Sequence, residues 1–213
     1  MVAVIPLNDA SRRPARLPWV TLAIIATNVL VFVLELQRGD EFVARWSVIP
    51  AQILAGHGLA TLLTSMFLHG GWLHITSNMV FLWAFGAEVE QLMTPARYLT
   101  FYLLGGIAAM VTQVAATPDS TVPALGASGA VAAVMGAFLV SYPRDRMRSL
   151  LVVLVFVRVT YIPAALLIGV WFLIQFFSLR AGSAASSGVA YAAHVGGFIF
   201  GVVTTRLFAA RVG

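Results

Sequence analysis

The sequence predicts an all-α polytopic membrane protein of six transmembrane helices with both termini in the cytoplasm. Three observations predict it. Hydrophobic residues make up 60% of the 213 residues and charged ones only 10%, with a mean hydropathy of +0.92, whereas a soluble domain carries roughly 25% charged residues. Apolar stretches of about 18–20 residues recur, each long enough to cross a hydrocarbon core about 30 Å thick. The arginines are divided unevenly among the loops that these stretches define.

Residues 1–17 are expected to form a polar cytoplasmic tail bearing Arg12, Arg13 and Arg16 and punctuated by Pro14 and Pro18. The apolar run behind it is too long for a signal-peptide core and no small-residue cleavage site follows, so it reads as a retained span. A six-helix membrane domain then covers 18–211. Span one is Trp19–Leu36. A long outer loop at about 37–71 carries Arg38, Asp40, Glu41 and Arg45 beside apolar pieces at 46–49 and 53–55, the mark of a structured loop lying partly in the membrane interface. Span two is Trp72–Leu92, span three Tyr98–Ala116, span four Leu125–Tyr142, span five Tyr161–Leu179 and span six Val189–Phe208. Leu150–Val157 is apolar and β-branched, yet as a helix it would cover only about 13 Å. It reads as an interfacial lead-in to span five.

Charge sets the orientation. With six spans, the inner segments hold Arg12, Arg13, Arg16, Arg97, Arg144, Arg146, Arg148, Arg158, Arg206 and Arg211, and the outer ones only Arg38, Arg45 and Arg180. Such a bias places the Arg-rich side inside. A multi-pass protein of a bacterial plasma membrane is expected.

Absent residues exclude whole chemistries. Without Cys there is no disulfide, thiol nucleophile or thiolate ligand. Without Lys there is no Ser–Lys dyad, Schiff base or P-loop. The pI near 10.4 reflects loop arginines; no basic stripe interleaved with aromatics points to nucleic acid. No cofactor is implied.

Polar groups inside a bilayer are costly and mark function by default. They cluster here as His74 and Asn78 in span two, Ser128 in span four and His194 in span six, with Asn28 alone in span one. Spans two, four and six all run inward from the outer face, so the four groups reach comparable depths. His74 and Asn78, spaced i and i+4, share a helix face. Small residues around them (Gly126 and Gly129 beside Ser128, Gly197 and Gly201 after His194) allow close helix approach. A Ser hydroxyl needs a base to attack at neutral pH, and His is the usual one. Asn78, His74 and the Ser128 N–H at a helix N-terminus suit an oxyanion. Glu88 and Glu90 lie at the inner end of span two and Asp119 in an outer loop, so a dyad rather than a triad is expected.

Rival intramembrane chemistries lack their residues. No His is followed by Glu, as a zinc protease motif requires. All four Asp fall in tails or loops, which excludes a paired-Asp site. His69, His74 and His194 have neither a carboxylate nor a Cys to complete a metal site, and His57 reads as a surface histidine. A transporter would show ionisable groups at mid-membrane and broken inverted repeats.

Three blocks, His69 to Asn78 (HGGWLHITSN), Gly126-Ala127-Ser128-Gly129 and Ala193-His194-Val195-Gly196-Gly197 with Gly201, resemble the rhomboid family of intramembrane serine proteases in order, spacing and placement. The resemblance covers nearly the whole chain. It implies a Ser128 nucleophile, a His194 base, and His74 with Asn78 at the oxyanion. It also implies transmembrane protein substrates cut near their outer end, with spans two and five (the latter with Trp171 and Phe172) as the gate. Glu90 matches a structural acidic position. Several members carry Tyr four residues after the nucleophile, against the catalytic His; here that position is Ala132. Members with a Trp-Arg pair in the first outer loop differ from this chain, which has Arg45-Trp46. The alternative to a protease is a non-catalytic relative that binds or chaperones transmembrane clients, which would be expected to have lost Ser or His.

Overall fold

The computed structural model describes residues 2–154, 156–181 and 189–210. Val155 and Arg211, which enter the expectations above, lie outside them. Six long helices follow the six apolar stretches: α1 (Trp19–Arg38), α5 (Trp72–Gln91), α6 (Pro95–Ala116), α7 (Ser128–Ser141), α8 (Ala164–Arg180) and α9 (Tyr191–Phe208). By length and composition alone α1 and α6 are long and apolar enough to cross a membrane, and α7 and α8 are shorter apolar helices. Their ends follow local chemistry. Gly39, at φ +72°, stops α1. The Thr94 hydroxyl accepts from the Arg97 N–H and Pro95 fills the first position of α6. Pro163 precedes α8, which starts three residues later than expected.

The loop between α1 and α5 is ordered, with short helices α2 (Asp40–Trp46), α3 (Pro50–Leu54) and α4 (Thr61–Thr64) and a 3-10 turn at Ser65–Phe67. It holds the segment before α7. Val48 and Ala124 exchange backbone hydrogen bonds, and the Gly126 N–H donates to the Ser65 carbonyl at 2.8 Å.

The all-α expectation is corrected. Three strands, β1 (Val2–Asp9), β2 (Arg146–Val153) and β3 (Phe156–Pro163), form an antiparallel sheet in the order β1-β2-β3. Val2 pairs with Val153 and Asp9 with Met147, and β2 and β3 form a hairpin. The expected tail thus supplies an edge strand, and most of the expected lead-in becomes the hairpin. Strand formation satisfies a β-branched backbone too short to span as a helix. Arg12 clasps the sheet's polar end by donating both Nε and Nη2 to the Asp145 carboxylate, with its guanidinium 4.0 Å over the Tyr142 ring. Glu90 joins α5 to α1: its carboxylate accepts from the N–H groups of Val20 (3.0 Å) and Thr21 (2.8 Å) and from the Thr21 hydroxyl. It supplies the cap that Pro18 lacks.

In the core α7 is buried along most of its length and α9 packs on it and on α6. Glycines make this possible. A Cβ on Gly197 would strike the Gly129 carbonyl, and one on Gly201 the Ala133 carbonyl. The helices therefore touch through their backbones.

Candidate active site

Ser128 is the first residue of α7, so its N–H has no acceptor within the helix and faces forward with the helix dipole. Gly126 shapes the approach to it. Its φ of +122° is one that side chains rarely adopt, and a Cβ there would lie 2.8 Å from His74 Nε2. His194 sits one turn into α9 and is buried. The backbone contact of α7 with α9 brings the Ser128 hydroxyl and His194 Nε2 to 2.7 Å.

His74 and Asn78 follow on one face of α5, and all four groups line a cavity of about 690 Å³. The tautomer of His74 is set locally. Its Nδ1 accepts from the Gly70 N–H at 3.2 Å, which leaves the proton on Nε2, beside Gly126 and Ser128. Asn78 is buried, and its Nδ2 has no partner among the described residues. A buried amide donor left open in the cavity it shares with Ser128 is costly unless something accepts from it. Among the described residues no group of three His, Cys, Asp or Glu could hold a metal ion.

Three further polar groups, each inside an apolar span, escaped the sequence reading. Gln175 of α8 is buried, and its Oε1 lies 2.7 Å from His194 Nδ1. Gln113 of α6 accepts from the Ala193 N–H at 3.3 Å, next to His194. Glu35 of α1 accepts from the His69 N–H with both oxygens at 3.1 Å, holding the start of the His69–Asn78 block. The signal was present in each case as a polar residue in an apolar run; their partners were not legible. Trp171, expected at a gate, lies with its ring centroid 5.7 Å from that of His194. His69 is buried and His57 exposed.

Helices meeting around a half-buried Ser and a buried His define the class of molecule, and the family follows from comparison. A family model described as Rhomboid domain matches residues 56–211, and the chain belongs to the rhomboid family. It is thus a polytopic helical membrane protein. It is 32% identical over 126 residues to the rhomboid protease GluP of Bacillus subtilis, covering 57% of this chain and 24% of that protein. To the human presenilin-associated rhomboid-like protein, mitochondrial, it is 28% identical over 199 residues (84% and 45%). To rhomboid protein 1, mitochondrial, of Saccharomyces cerevisiae it is 27% identical over 191 residues (85% and 51%). The chain spans between 24% and 51% of the length of these relatives. They also correct the expected location. The human and yeast proteins, matched over 84% and 85% of this chain, are named as mitochondrial, so the expectation of a bacterial plasma membrane is not upheld.

Proposed function

We propose that this chain is an intramembrane serine endopeptidase that cleaves transmembrane segments of other membrane proteins. The observation that carries the reading is the 2.7 Å contact between the Ser128 hydroxyl and His194 Nε2. In this mechanism His194 Nε2 takes the Ser128 proton as Oγ attacks the peptide carbonyl, then returns it to the leaving amine. Water hydrolyses the acyl-enzyme by the same route in reverse. The oxyanion is held by the Ser128 N–H, His74 Nε2–H and Asn78 Nδ2–H, donors fixed before reaction begins. No metal or cofactor takes part.

The six long helices serve as six spans of one domain over 18–211, with both termini on the Arg-rich side. As α7 has only 14 residues, about 21 Å of rise, Ser128 stands below the opposite face and within reach of its water. Substrates enter from the bilayer and are cut near that face. A non-catalytic, client-binding role leaves without a purpose both the Ser–His contact and an Asn78 Nδ2 that has no acceptor among the described residues.

The test needs no substrate. Purified protein is treated with a fluorophosphonate and the adduct mapped by mass spectrometry. An adduct on Ser128 that vanishes in His194→Ala is expected. Folded, lipid-reconstituted wild type that stays unlabelled would favour the client-binding role.

A further inference from the structure

The base needs a partner that keeps its ring in the correct tautomer, and no carboxylate among the described residues bonds to that ring. With Ala132 in place of a ring, the surface of His194 that faces away from Ser128 is covered by α8. Two residues one turn apart, Trp171 and Gln175, make that contact: the indole lies tilted 37° against the imidazole, and the amide oxygen meets Nδ1 at 2.7 Å. An amide oxygen only accepts, so Nδ1 carries the proton and Nε2 is left with its lone pair towards the Ser128 hydroxyl. The opposite tautomer would put a proton where the lone pair is needed.

We propose that Gln175 is a positioning residue that holds His194 in its proton-accepting tautomer. This inference rests on the dyad reading above. It also gives α8 a second role. Trp171 lines the cavity, so the helix that borders the substrate space also carries the group that sets the base. A base set by α8 is competent only while α8 is seated against α9.

The other titratable groups around the ring are Ser128 from α7, His74 across the cavity on α5, and Tyr191 on α9 itself, its ring centroid 6.4 Å away. None of these reaches Nδ1, so the substitution at 175 reads that nitrogen alone.

The experiment compares wild type, Gln175→Leu and Gln175→Glu for the rate of fluorophosphonate acylation of Ser128, for kcat and KM on a transmembrane substrate, and for the pH profile of kcat/KM. Gln175→Leu keeps bulk but loses the acceptor. Its acylation rate and kcat should fall about 10- to 1000-fold with KM within twofold. Gln175→Glu restores an acceptor and adds charge, so it should retain activity while the acid limb moves up by about one pH unit or more. A packing role alone would leave kcat near the wild-type value in Gln175→Leu, which fills the same space without an acceptor. Wild-type rates in Gln175→Leu, or an active Gln175→Glu with an unmoved profile, overturn the proposal; should the Leu variant fail to fold, Gln175→Met, which keeps length and bulk without an amide acceptor, decides on the same readouts. If wild type itself is not acylated, the dyad reading fails first.

Discussion

Gly197 of α9 rests on the backbone carbonyl of Gly129 of α7, one residue past Ser128. One turn further, Gly201 rests in the same way on Ala133. These contacts set how far His194 stands from Ser128, because both side chains leave their helices within a turn of the crossing. Gly197→Ala should push the helices apart. Overpacking of this kind costs about 1–3 kcal/mol, and acylation of Ser128 should fall at least tenfold, on the order of one misplaced catalytic group. Thermal melting and probe labelling check both; unchanged labelling in the folded variant would mean that this spacing does not set the dyad.

Asn78 has a buried donor with no acceptor among the described residues. If it awaits an oxyanion, Asn78→Ala should lower kcat by about 10- to 1000-fold with little change in KM. Steady-state cleavage of a transmembrane substrate in liposomes reads this directly. A rise in KM at constant kcat would instead make Asn78 a ground-state substrate contact.

Glu90 caps α1 from α5 and touches nothing in the cavity. Glu90→Ala should lower stability by about 1–2 kcal/mol, in line with a lost helix cap. The acylation rate per folded molecule should stay at the wild-type value. Denaturant melts and probe labelling on the same sample separate the two quantities.

The sheet should carry a pH dependence of its own. Burial pushes the Asp9 carboxyl up to about 6 from its ordinary 3.8, aided by the neighbouring Asp145 and opposed by the Ser11 N–H. Asp145 is held below its usual range by its hydrogen bonds from Arg12. Asp9 therefore favours the folded state while protonated, and that contribution is lost as pH rises from about 3.8 through about 6. Asp145 acts the other way, at a pH below this window. Asp9→Asn should consequently melt higher than wild type at about pH 7.5, and the gap should shrink to about half by pH 5 and close below about pH 4. A constant gap across that range would show that Asp9 does not titrate there.

Much of this molecule was legible from residue order alone. Transfer into a bilayer is a local property of each residue, so six apolar stretches and the polar groups inside them could be located without any fold. Depth followed from distance along each span, and that was enough to bring His74, Asn78, Ser128 and His194 to one level. The glycines beside Ser128 and His194 announced a close helix crossing, and one is present.

Azimuth and pairing were not legible. Hydropathy records how deep a residue lies and not which neighbour it faces, so Gln175, Gln113 and Glu35 read as isolated polar residues in apolar helices. Only packing showed that Gln175 meets His194 and Glu35 meets His69. The sheet failed for the same reason on a larger scale. A strand is satisfied by backbone partners from elsewhere in the chain, and β1 finds its partner in β2 from the far half of the sequence. The chemistry of the site was written in residue types, which act one at a time. The orientation of the His194 ring was decided by contacts between distant helices, which exist only after they pack.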